Sequence, residues 1–132
     1  MYEFNSTIDG SFDEVKTALL DVLLQNQLGI VSEIDVQATL KKKMNLSIPA
    51  YQILGACNPK LAAQIIEDEP NAGALLPCNI VIREQLPGKI IVSFMDPMAV
   101  LGLSDSQLVK DVAKIAQKKL RDVKSKLETI SF

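Results

Sequence analysis

Two apolar runs separated by Leu86-Pro87-Gly88-Lys89 constrain this chain more than any other feature. Proline at the second position and glycine at the third spell a type II turn. The flanking runs, Cys78–Gln85 and Ile90–Met95, therefore pair as a hairpin. Both runs are apolar at nearly every position: Ile80, Val81 and Ile82 in one, Ile90, Ile91, Val92 and Phe94 in the other. A strand with one covered face alternates apolar and polar residues more strictly. The hairpin is thus expected to be covered along an edge or on its second face, and a partner subunit is the economical candidate.

The remaining elements read as material to pack on that hairpin. Residues Tyr2 to Ile8 alternate, with Tyr2, Phe4, Ser6 and Ile8 on one face and Glu3, Asn5 and Thr7 on the other. Asp9-Gly10 ends this strand. Ser11 stands three residues before Glu14, a capping-box spacing. Phe12, Val15, Ala18, Leu19, Val22 and Leu23 then recur at helical spacing, and Gly29 reads as the stop. Ile30–Ile34 reads as a short strand. Asp35 reads as the N-cap of a brief helix, with Lys41, Lys42 and Lys43 at the negative end of its dipole. These lysines read as a solvated helix end, with an anion contact as the alternative.

Pro49 opens a third strand, Ala50–Ala56. Asn58 is the natural cap, and Pro59 the natural first residue, of a helix running to about Glu67. Beyond Asp96-Pro97, Met98–Leu103 reads as an apolar linker or helical turn, and Ser104, with Gln107 three residues on, as the cap of the last helix. Leu108, Val112, Ile115, Ala116, Val123 and Leu127 form that helix's expected buried stripe. Lys110, Lys114, Lys118, Arg121 and Lys124 form its solvated side, with a basic membrane-facing or acidic-partner surface as the alternative. The order is a β-α-β4-α plan. It describes a single α+β domain over residues 1–132, with a mostly antiparallel five-stranded sheet, two long helices packed on one face and two short inserted helices.

Composition narrows the function. A net charge of −2 argues against a general nucleic-acid binder, which needs a basic footprint. With no Trp and 5% aromatic residues there is no stacking platform for single strands. The chain has no His, which removes Ser–His and Cys–His nucleophile pairs and every imidazole metal ligand. No apolar run approaches the length of a membrane helix, and MYEFNSTIDG has neither the basic nor the apolar region of a signal peptide. The expectation is a cytoplasmic protein with two free thiols rather than a disulfide. No pattern identifies a reaction, a substrate or a cofactor.

The stretches Tyr51–Ile66 and Gly73–Glu84 carry a double motif. It comprises Tyr51, Leu54-Gly55-Ala56-Cys57-Asn58-Pro59, Ala62, Gly73 and Leu76-Pro77-Cys78, followed by Asp96-Pro97. With these residues the chain resembles the bacterial and archaeal family called domain of unknown function 302, over almost its whole length. The resemblance implies a fold similar to the TATA-box-binding-protein-like arrangement, often as a homodimer. It implies no particular activity, and likeness of fold does not carry DNA binding with it.

The cysteines are the chemically distinctive residues. If the third and fourth strands are antiparallel neighbours, Cys57 and Cys78 lie at one end of the sheet. Cys57 also directly precedes a helix cap, where the positive helix end and Lys60 would favour its thiolate. The candidate ligand or thiol site is therefore Cys57, Cys78, Asn58, Lys60 and Asp96. Free cysteine is also a common small apolar filler, and packing thiols are the competing reading. Three functions stay open: a homodimeric binding module with a small ligand pocket at this site, a thiol-dependent redox or sulfur-handling protein, and a soft-metal binder of the Cu(I) type. Met95 and Met98 are thioethers that could join the last, and otherwise read as core.

Overall fold

The computed structural model describes all 132 residues. Strand pairing is antiparallel throughout. β1 (Glu3–Asp9), β2 (Gly29–Asp35), β3 (Tyr51–Cys57), β4 (Cys78–Leu86) and β5 (Lys89–Met95) form one sheet in the order β1-β5-β4-β3-β2. The helices are α1 (Phe12–Gln25), α2 (Val36–Met44), α3 (Pro59–Asp68), α4 (Pro97–Val100) and α5 (Gln107–Glu128). Two 3-10 turns, Pro70–Leu75 and Leu101–Leu103, complete the chain. The architecture is α+β with a five-stranded antiparallel sheet, as the sequence pattern implies.

Local chemistry accounts for most boundaries. Gly88 takes φ +83°, the left-handed value that the third position of a type II turn requires. Its carbonyl accepts from the Gly10 N–H at 3.1 Å and ties the hairpin tip to the end of β1. At α1 the capping box forms: the Ser11 hydroxyl accepts from Glu14 N at 3.2 Å, and the Glu14 carboxylate accepts from Ser11 N. Gly29 does not stop α1. Asn26 is the C-cap, Gln27 takes the left-handed turn at φ +57°, and Gly29 opens β2. Ser104 is not the cap of α5 either. Ser106 is, accepting from Val109 N at 3.2 Å, while the Ser104 hydroxyl donates to Glu69 and accepts from Ser106 N.

Cross-strand rows show how the sheet divides its residues. On one face the row Gln52–Ile82–Val92–Ser6 and the row Leu54–Ile80–Phe94–Phe4 lie under α1 and α5. The main core is built here, with Val15, Leu19, Val22 and Leu23 from α1 and Leu120, Val123 and Leu127 from α5. The Phe4 and Phe94 rings stack with centroids 5.5 Å apart, and the Arg121 guanidinium lies 4.4 Å from the Phe4 ring centre. Tyr2, expected on this face, precedes the strand and is exposed.

The other face carries the row Ile34–Ile53–Val81–Ser93–Asn5, with Arg83 and Ile91 paired in the next row. Burial in β4 and β5 alternates: Ile80, Ile82, Ile90, Val92 and Phe94 are sealed, whereas Val81 and Ile91 are half-buried. Neither long helix covers this face.

A second, smaller apolar cluster sits beside the first. It joins Ile65 of α3, Ala72, Leu101, and Val109, Val112 and Ala113 of α5. The buried stripe of α5 thus runs Val109, Val112, Ala113, Ala116, Leu120, Val123 and Leu127. Leu108 and Ile115, assigned to that stripe from spacing, are exposed. They lie to one side of the stripe's centre on the 3.6-residue helical wheel.

Candidate functional site

The antiparallel register brings the two cysteines to one end of the sheet. Ala56 pairs with Cys78, and Cys57, the next residue, closes β3 against Gly29. Asn58 then turns the chain into α3. Its Oδ1 accepts from Leu61 N at 3.0 Å, and its Nδ2 donates to the Gln27 carbonyl at 3.0 Å. Both halves of the amide are thus used, one capping α3 and one holding the α1–β2 connection.

A cavity of about 30 Å³ lies at this point, room for about one water-sized group. Its lining comes from four directions. Ala56, Cys57 and Asn58 close β3; Leu61, Ala62 and Ile65 come from α3; Val112 and Ala116 come from α5; Leu76 and Cys78 lead into β4. Leu28 and Leu101 complete it. The main cluster contributes Leu28, Ala56 and Cys78, and the smaller one Ile65, Leu101 and Val112. The cavity is therefore the seam between the two packing units of the molecule.

Its electrostatics follow from that lining. Asn58 is the one residue of the wall that is not hydrophobic. Burial pushes the Cys78 thiol up to about 11, with a further upward push from negative charge on Cys57. Burial also raises Cys57. This desolvation opposes the push towards a Cys57 thiolate expected from the helix end and Lys60. Lys60 does not line the cavity. Burial thus disfavours the thiolate at both positions.

Of the five sequence-derived site residues, Cys57, Cys78 and Asn58 come together, and Lys60 and Asp96 do not join them. Asp96 caps α4, accepting from Met98 N at 2.9 Å, and ties that cap to α5 by accepting from Gln117 Nε2 at 3.0 Å. Met95 packs against the main cluster and Met98 against the smaller one, and neither lines the cavity. No group of three or more Cys, Asp or Glu residues converges on the thiols. The walls supplied by α5 and Leu101 were not anticipated. The small residues Ala113 and Ala116, next to each other on the α5 stripe, were the available signal that something packs closely there.

Gly55 shapes the approach from the open face. A Cβ at this position would run into the Ser32 hydroxyl and come within 2.6 Å of Pro77 Cγ. Only glycine lets the segment ahead of Cys78 close down on β3.

The family model for the domain of unknown function DUF302 matches residues 4–127. The fold is also similar to a crystal structure of an uncharacterized conserved protein DUF302 from Bacillus stearothermophilus. That likeness has a TM-score of 0.87 at 23% sequence identity and covers 96% of this chain and 98% of the other. No curated protein matches the chain. With the family model spanning almost the entire sequence and the same fold in a solved relative, the chain belongs to the DUF302 family.

Proposed function

We propose that this chain is a homodimeric binding module of the cytoplasm. Its site is the cavity at Cys57 and Cys78, and its ligand presents a small, uncharged, apolar group. The cavity carries the reading. Apolar side chains surround it, burial disfavours charge on both of its thiols, and its one polar wall residue has its hydrogen bonds committed elsewhere. A charged ligand group would lose its hydration there with no opposite charge to replace it. The cytoplasmic assignment rests on the free-thiol reading of the two cysteines.

The dimer reading is supported by the open face of the sheet. Ile53, Val81 and Ile91 form its apolar centre, with Asn5, Ser93 and Arg83 around them. Five strands of about seven residues span roughly 24 by 23 Å, about 1,100 Å² counted on both copies, just above the roughly 1,000 Å² expected of a biological interface. In sedimentation the wild type is expected to run as a dimer and Val81→Asp as a monomer. A wild-type monomer at micromolar concentration defeats the dimer reading. For the cavity, Ala62→Leu is expected to abolish binding of a short-chain alcohol probe, followed by the methyl resonances of Leu61 and Leu101. Unchanged resonances in the wild type defeat the ligand reading.

A second reading is favoured by the thiols sharing one wall: a soft ion such as Cu(I) held between Cys57 and Cys78. Stoichiometric uptake under reducing conditions, lost in either Cys→Ser variant, is its required result. The redox alternative, like the metal reading, needs a thiolate, which burial disfavours at both cysteines. It is the weakest of the three because the cysteines also lack a Cys-x-x-Cys spacing.

A further inference from the structure

From Gly29 to Ile53 no residue is buried, although the segment contains β2 and α2. Ordering backbone costs roughly 1–2 kcal/mol per residue. In this arm burial is only partial. The β2–β3 ladder and a set of caps help hold it: Asp35 Oδ1 accepts from Ala38 N at 2.9 Å, Asn45 ends α2 in the left-handed conformation, and Gln37 Nε2 donates to the Ile48 carbonyl at 3.0 Å. Short helices are marginal unless an apolar face is packed. Here Val36 and Leu40 are half-buried, while Met44 and Leu46 are exposed to 67% and 45%.

Charge says what would cover them. Lys41, Lys42 and Lys43 have no carboxylate partner, for the ion pairs of the molecule involve Lys16, Lys89, Lys118 and Lys124. Lys41 reaches only the Ser47 hydroxyl, at 3.4 Å. Between Val36 and Ile53 there is no Asp or Glu. A chain of net charge −2 thus concentrates three unpaired cations beside two exposed aliphatic side chains.

We infer that α2 and the turn through Leu46 form a docking surface for an acidic protein segment bearing aliphatic side chains. Its carboxylates meet Lys41, Lys42 and Lys43, and its aliphatic groups cover Met44 and Leu46. A symmetric contact with a second copy would set three lysines against three lysines, a like-charge arrangement that opposes association. A lipid surface is a poor fit, because α2 is one short helix without an aromatic residue and turns Val36 and Leu40 towards its own protein.

The test uses a labelled synthetic peptide rich in glutamate and leucine, with binding to the full chain followed by fluorescence anisotropy. Saturable binding is expected, weakened about tenfold when Lys41, Lys42 and Lys43 are all changed to Gln, and weakened further by added salt. Met44→Ser is expected to weaken it independently. Lys110→Gln with Lys114→Gln, on α5, is expected to leave it unchanged. Absence of peptide binding to the wild type overturns the inference, as does equal binding by the triple Gln variant. Lys41–43-dependent binding to vesicles of equal parts phosphatidylcholine and phosphatidylserine, stronger than binding to the peptide, overturns it in favour of a lipid. Loss of a sedimenting dimer in Met44→Asp overturns it in favour of a second copy.

Discussion

The two faces of the sheet are made by the same strands from similar residues, yet they do different things. In β4 and β5, Ile80, Ile82, Ile90, Val92 and Phe94 are wholly sealed by α1 and α5, while their neighbours Val81 and Ile91 remain half-buried on the far side. β-branched and aromatic residues suit a strand on either face. What separates the faces is whether a helix supplies the opposing atoms. The closed face therefore carries the stability of the chain, and the open face is free to carry an interaction.

This contrast orders the expected effects of mutation. Phe94→Ala removes a sealed ring stacked on Phe4 and should cost about 3–5 kcal/mol in denaturant unfolding. A cost under about 1 kcal/mol would mean that the closed face does not hold the fold. At the cysteine end, Cys78 should make the protein less stable as pH rises. Its folded value is raised, so the folded chain keeps a proton that the unfolded chain gives up between about pH 9 and about pH 11. The Cys78 contribution is complete below that window and lost through it, a fall of about 3 kcal/mol at most. Cys78→Ala should flatten that part of the pH profile, and an unchanged slope would show that Cys78 is not buried in solution.

Gly55→Ala should cost about 1–3 kcal/mol, since the added methyl meets Ser32 and Pro77 and must push the segment before Cys78 off β3. Unaltered thermal unfolding would show that this corner gives way easily. Ile91→Ala, on the open face, should cost the isolated chain less than about 1 kcal/mol. If it costs as much as Phe94→Ala at low protein concentration, the open face is covered within one chain and the contrast between faces is lost.

Much of this was legible in the residues. The Pro87-Gly88 turn, the Ser11/Glu14 capping box and the Asn58-Pro59 helix start are short-range signals. Each depends on hydrogen bonds within a few residues, and each appears where the spelling puts it. The ends governed by competing local choices were not. Asn26 and Gln27 end α1 ahead of Gly29, and Ser106 displaces Ser104 as a cap because Glu69 engages the Ser104 hydroxyl from thirty-five residues away. The apolar run of the hairpin predicted strands but not which side would be covered, because the helices that cover it come from elsewhere in the chain.

The candidate site divides in the same way. Local pattern alone put Cys57 at a strand end, Asn58 at a helix cap and Cys78 at the next strand start, which was enough to predict that the two thiols share one end of the sheet. Tertiary packing decided the rest. α5 and Leu101 complete the apolar lining around the thiols, and burial raises both, a push opposite to the one expected from a helix end and Lys60. Hydrogen bonds and turn geometry are settled between near neighbours and can be read along the chain. Desolvation is the summed effect of every atom that excludes water from a site, and those atoms are brought together only by the fold.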